Sequence, residues 1–173
     1  MNYYGPKDMA ESWRTVRKNT IQVAEDIPEE KYSFRAAPDT MSVGEILAHL
    51  AATPHWANQC HFIDAKVAIT MDDFGKWMGE IGQVSKALTT KAAIVAALKA
   101  DGDAFAAGLE SMTDEKLAEK VTLPNGEKTR FEMLLGVKEH EMHHRAQLFL
   151  VERMLGIVPH LTRARQAAQA ARQ

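Results

Sequence analysis

Apolar residues recur at helical spacing through most of the chain, and turn residues cut that pattern into blocks. Between Lys7 and Asp26, the residues Met9, Trp13, Val16, Thr20 and Val23 fall along one side of a helix. Gly5-Pro6 opens this block and Pro28 closes it. A polar connector follows, E-E-K-Y-S-F-R-A-A-P-D, from which Tyr32 and Phe34 are expected to tuck back under the helices. Ser42-Val-Gly-Glu45 reads as a capping box, with the Ser42 hydroxyl and the Glu45 carboxylate closing the helix start reciprocally. The helix it opens carries Ile46, His49, Leu50, Thr53 and Trp56 on one side, so His49 points inward. Pro54 lacks the amide hydrogen that would bond the Leu50 carbonyl, which predicts a kink or restart before the helix continues past His61 towards Lys66.

Residues 70–89 contain three glycines and mixed polarity, which predict a mobile or irregular connector, with Phe74, Trp77 and Met78 available to cover something apolar. From Thr90 the residues Ile94, Ala97, Leu98, Phe105 and Leu109 are helical again, ending near Ser111-Met112. Leu117–Lys128 alternates briefly and then turns at Asn125-Gly126, the signature of a small hairpin. Thr129-Arg-Phe-Glu132 is a second capping box. The helix after it buries Met133, Leu134, Val137, His140, His144, Leu148, Val151 and Leu155, and stops at Gly156 and Pro159. At 1.5 Å per residue it is roughly 39 Å long. Leu161–Arg172 is polar and Ala-rich, a loosely attached final helix. The fold class is therefore all-α: a four-helix bundle, up-down or crossover, with a short hairpin-like turn before the last long helix.

The 173 residues suit a single domain over residues 1–173, and 46% hydrophobic with 25% charged residues is ordinary for a globular protein. The net charge of −2 gives no electrostatic pull towards nucleic acid or an anionic membrane. Cys60 is the single cysteine, which excludes an intrachain disulfide and a cysteine-based zinc site. The start, M-N-Y-Y-G-P-K-D, lacks the apolar core of a signal peptide, and no apolar run approaches the roughly 18 residues of a spanning helix. A cytoplasmic protein is expected.

The chemistry concentrates in Lys138–His144, K-E-H-E-M-H-H. His140 and His144 lie one turn apart and about 40° apart around the helix axis. A buried imidazole is costly unless its nitrogens find partners, and two of them stacked on an apolar stripe double that cost. A shared cation answers it. Zinc and nickel bind neutral imidazole at about 2.0–2.1 Å, and catalytic sites often use three protein ligands and one open position. His49, inward on a neighbouring helix, supplies the third. A lone histidine such as His49 is more often a hydrogen-bonded core residue; the pair on the other helix shifts the balance. His143 lies about 60° from His140 but about 100° from His144 and falls to the flank. His55, His61 and His160 are expected to be exposed or partly exposed. Glu141 is expected to be solvated or paired with a base, and Glu45 to serve its capping box rather than an imidazole. Gln147 can bond near the metal or across to another helix.

The string H-E-x-x-H also matches a metalloprotease motif. The extended form requires a glycine where this chain has Gln147 and a histidine where it has Leu150. The other form requires a downstream Glu in a further helix, and Glu152 lies in the same one. A protease is excluded.

The helix S-V-G-E-I-L-A-H-L with His49, and H-E-M-H-H-R-A-Q followed by L-F-L-V-E-R-M-L-G-I, resemble the DinB-like (DinB/YfiT) superfamily of four-helix-bundle metalloproteins, across about residues 5–159. The family's usual H-x-x-x-H-R-G-Q ending has Ala146 in place of its glycine here. The resemblance places three metal ligands on His49, His140 and His144. It implies a cytoplasmic homodimer binding a divalent metal, zinc or nickel, with relatives that transfer or isomerise substrates using a low-molecular-weight thiol. Three readings follow: a metal-dependent transferase joining a small thiol to an electrophile, a metal-dependent hydrolase of a small molecule, or a non-catalytic metal- or ligand-binding stress protein. None of the three calls for nucleic acid or a membrane.

Overall fold

Most of the helix starts are written in side-chain hydroxyls. In the computed structural model, which describes residues 4–172, Ser42, Thr70, Thr90, Thr113 and Thr129 each accept a bond from the backbone amide three residues on. At Ser42, Thr70 and Thr129 an acidic side chain closes the box from the other direction. The elements are α1 (Pro6–Asp26), α2 (Val43–Ala52), α3 (Pro54–Ala57), α4 (Met71–Ala87), α5 (Lys91–Glu110), α6 (Asp114–Ala118), β1 (Lys120–Leu123), β2 (Gly126–Thr129), α7 (Arg130–Met154) and α8 (His160–Ala170). Residues 1–3, part of the stretch expected to lack a signal sequence, and Gln173, the end of the expected domain, lie outside the described residues. Among the described residues no helix is long and apolar enough to cross a membrane.

The fold is a four-helix bundle. α1 packs against α5 and α7, and α2 packs against the same two helices. The first two long helices therefore sit across a diagonal, a crossover arrangement rather than a simple up-down one. Val23, Ile27, Leu47, Leu50, Leu98 and Leu148 fill one end of the core, and Trp13, Phe105, Leu109 and Leu134 fill the other. The Trp13 indole donates to the Gly102 carbonyl at 2.9 Å, where a side chain on Gly102 would press to 2.7 Å from Arg17. That close approach is why α5 carries a glycine there.

Residues 70–89 are not an irregular connector. Most of them form α4, which packs on α2 and α3 and buries Trp77 and Ile81. The three glycines weaken the helix, but the Thr70–Asp73 capping box and the apolar spacing of Phe74, Trp77, Met78 and Ile81 outweigh that cost. Pro54 does restart the helix: α2 ends at Ala52, α3 begins at Pro54, and the chain widens into a π-helical turn over Asn58–Ile63. The expected hairpin is β1–β2, with Leu123 opposite Gly126 across a Pro124-Asn125 turn. Gly126 itself follows the turn at φ 142°, and Gly156 ends α7 at φ 78°.

His61, expected to be exposed, is only 2% exposed. Its Nδ1 faces Arg130 Nη1 at 3.0 Å, and burial beside that guanidinium pushes the imidazole down to about 4, so it accepts the bond as a neutral ring. Arg130 also donates to Glu119 and to the carbonyls of Ala65 and Lys66, tying the start of α7 to the exit of the π-helical turn.

At the other end of α7, α8 buries no residue and is held by polar contacts: Arg163 to Asp26 at 2.6 Å, and His160 Nε2 to Asn19 Oδ1 at 3.1 Å. Beneath it Glu152 is fully buried with neither carboxylate oxygen hydrogen-bonded among the described residues. Burial, reinforced by the nearby Asp26, pushes its carboxyl up to about 7. An unfolded Glu titrates near 4.3, so the native state holds this proton more tightly and its contribution to stability declines as pH rises between those values. Glu152→Gln is expected to raise stability at pH 8 by up to about 3 kcal/mol and to change it little at pH 4. Urea unfolding at the two pH values checks this, and an equal gain at both would contradict it.

Candidate metal centre

α2 and α7 bring His49, His140 and His144 together, all half-buried. Each offers a ring nitrogen, and the three nitrogens lie within 4.8 Å of one another; among the described residues this is the one such group of histidine, cysteine or carboxylate side chains. The Nε2 atoms of His49 and His140 are 3.1 Å apart. Two nitrogens bound to one tetrahedral ion at 2.0–2.1 Å would be about 3.3 Å apart, so the spacing fits a shared cation. A shared proton would also fit that pair, but it would leave the third ring unserved. The ring centroids stand 4.6–5.1 Å apart, with the ring planes steeply inclined to one another.

Burial lowers the affinity of all three rings for a proton, and neighbouring imidazoles add to it; His140 is pushed down to about 4. The neutral imidazole that results is the form that binds a metal. Gln147 sets the tautomer of His144, because its amide oxygen lies 2.9 Å from Nδ1 and accepts that proton, which leaves Nε2 free. The Gln147 amide nitrogen reaches His143 Nε2 at 3.2 Å, so Gln147 orders both rings; His143 itself is exposed on the flank. The buried Nδ1 of His140 has no protein partner among the described residues.

Two residues outside the expected set hold the helices in this register. Arg17 and Glu141 form an ion pair at 2.7 Å, both nearly inaccessible, and Arg17 Nη2 also donates to the Leu50 carbonyl at 3.1 Å. Leu50 follows His49 and Glu141 follows His140, so one guanidinium on α1 fixes the backbone beside two of the three imidazoles. Burial raises the Glu141 carboxyl, while the Arg17 charge opposes that rise. Glu141 thus meets a base, as expected, but in the core rather than in solvent. Glu45 keeps to its capping box and pairs with Arg35.

A cavity of about 340 Å³ opens on His49 and His140. Trp56, Phe74, Met78, Ile81 and Val137 make its walls, and Thr53 is the one hydroxyl on it. The Thr53 hydroxyl donates to the His49 carbonyl at 2.7 Å and stands 3.5 Å from His49 Nε2. A wider cavity of about 580 Å³ meets the first at His49, Met78 and Ile81 and is lined by charges of both signs, Arg35 and Lys86 with Asp39 and Glu45. Phe74 and Met78 take the covering role that the sequence offered them, whereas Ile81 and the helical form of the segment were missed because residues 70–89 read as a connector; the apolar spacing and the Thr70–Asp73 cap were the available signal.

A model of the DinB superfamily matches residues 12–148, a stretch that holds all three histidines. The chain belongs to the DinB superfamily. Within that superfamily it is 26% identical over 144 residues to YjoA of Bacillus subtilis, covering 81% of this chain and 84% of YjoA. The fold is similar to that of YfiT from Bacillus subtilis, described as a probable metal-dependent hydrolase with an unusual four-helix bundle topology, with a TM-score of 0.66 at 16% identity over 88% of each chain. It is also similar to a mycothiol-dependent maleylpyruvate isomerase, with a TM-score of 0.60 at 12% identity over 83% of this chain and 60% of the isomerase. At those identities the two solved structures speak for the fold.

Gln147→Ala removes the acceptor that fixes His144. It is expected to weaken zinc binding about 10- to 100-fold with little change in fold. Competition against a chromogenic chelator measures the shift, and an unchanged affinity would show that His144 needs no orienting partner.

Proposed function

We propose that this DinB-superfamily protein is a metal-dependent transferase that joins a low-molecular-weight thiol to a small electrophile, with His49, His140 and His144 as the ligands of a zinc or nickel ion. The observation that carries the reading is the convergence of three imidazoles, their proton affinity lowered by burial, from two helices beside an apolar cavity. A divalent cation held there would supply a Lewis acid able to lower the pKa of a thiol that reaches it. The protein's own groups do the rest. His49, His140 and His144 would hold the cation beside the cavity, Gln147 keeps the His144 tautomer, and the apolar α4 side chains would exclude water from the reacting pair. The thiol sulfur forms the new bond to the electrophilic carbon, the leaving group departs with the bonding pair, and the thiol proton passes to solvent.

Hydrolysis is the second reading, with water as the nucleophile in place of the thiol, and the description of YfiT supports it. The cavity that touches both His49 and His140 carries no carboxylate. Hydrolysis gains from a group that carries a proton from the water to the leaving group, and the nearby carboxylates, Asp39 and Glu45, line the wider cavity at His49 rather than this one, so this lining favours the thiol. Exposed Met142, Leu150 and Met154 along the outer side of α7 support pairing of two copies into a homodimer.

The zinc- or nickel-loaded protein, incubated with a panel of small thiols and 1-chloro-2,4-dinitrobenzene, is expected to form thioether at a rate that a chelator abolishes. Turnover of ester or amide substrates without any thiol would replace this reading with the hydrolase. Stoichiometric metal with no rate on either panel would leave a non-catalytic binding protein.

A further inference from the structure

Gly136 stands in the interior of the longest helix, where a glycine weakens the structure relative to any ordinary helix former. Elsewhere in the fold such a cost has a visible reason: a side chain on Gly102 would meet Arg17, and one on Gly108 would meet Phe62 at 2.2 Å. At Gly136 an added Cβ would meet no heavy atom within 4 Å. The same is true of Gly75, Gly79 and Gly82 on α4, but the first two are exposed, so the free space there is solvent, and Gly82, partly buried, borders the wider cavity rather than this one. Gly136 is partly buried, and the free space over it is the 340 Å³ cavity beside His49 and His140. It sits one turn before His140 on the same side of α7, so any side chain there would project into the volume next to that ring.

We infer that this cavity is the subsite for an aromatic or branched aliphatic group on the molecule that meets the metal centre, and that Gly136 sets the size of the group admitted. The inference rests on the metal-centre reading above. Its walls choose the chemistry. Trp56, Phe74, Met78, Ile81 and Val137 offer ring faces, a thioether and branched carbons, and no charged side chain lines the cavity once the neutral imidazoles are set aside. A carboxylate or ammonium group placed there would lose its hydration with no compensating partner, whereas an aryl ring would gain by leaving water. The volume lies at the small end of the range for ligand sites, enough for one ring with a short substituent. Met78, itself half exposed, closes the outer side from α4 and separates this subsite from the charged rim at Arg35 and Lys86.

The test uses the full chain loaded with cobalt(II) and two thiol probes, benzyl mercaptan and 2-mercaptoethanol, with affinities read from sulfur-to-cobalt charge-transfer absorption. The native protein is expected to prefer benzyl mercaptan roughly 10- to 100-fold, the worth of burying one aromatic ring. In Gly136→Leu the preference falls to about one, and Met78→Trp, which narrows the cavity from the opposite helix, lowers it as well. Circular dichroism confirms that each variant is folded. A preference unchanged in both variants, or absent from the native protein, overturns the subsite. Should the chain take up no cobalt, the metal-centre reading fails separately. Quenching of tryptophan fluorescence by 4-nitrotoluene in the metal-free protein then decides the cavity: weaker quenching in Gly136→Leu supports it, and equal quenching overturns it.

Discussion

The arrangement depends on one buried guanidinium. Arg17 reaches from α1 into the core and holds the Glu141 carboxylate of α7 and the Leu50 carbonyl of α2 at once. A buried ion pair of this kind is weak evidence of stability, because desolvating two charges offsets much of their attraction. What it supplies is register. The apolar ridges of α2 and α7 could slide by a turn with modest loss, but such a slide would strand two charges in the core. With Arg17 in place the backbone beside His49 and beside His140 is fixed, and the ring nitrogens meet as a consequence.

From that register the chemistry follows in sequence. Half-burial keeps the three imidazoles neutral. Gln147 turns one of them, Thr53 lies against another, and α4 roofs the space in front with apolar side chains. The bundle holds the three rings and α4 shapes the space beside them, a division that suits a fold whose members are described with different reactions, a probable hydrolase and an isomerase. The Arg130–His61 cluster does parallel work at the far end of α7, pinning the turn that follows α3 so that Trp56 keeps its place on the cavity wall.

Much of this was legible from the chain alone, where the deciding physics is local. Ser42 and Thr129 announce their helices, Pro54 its restart, Gly156 its stop, and the spacing of His140 and His144 their common face. The rest was hidden because the deciding contacts join distant segments. His61 looked like a surface residue because its partner, Arg130, is 69 positions away. Arg17 sits on an otherwise ordinary amphipathic helix, and nothing near it marks it as a core charge. Residues 70–89 were read through their glycines, which argue for a loop, although the Thr70–Asp73 cap and the stripe through Phe74, Trp77 and Ile81 argued for the helix that forms. The cavity could not be read at all, since α2, α3, α4 and α7 each give it only one to three residues.

The central proposal is that the three rings share one cation. Calorimetric titration of the metal-free protein with zinc, beside His49→Ala, His140→Ala and His144→Ala, addresses that directly. One ion per native chain, with binding lost or weakened by orders of magnitude in each variant, is the predicted result. Uptake that survives all three substitutions unchanged would contradict it.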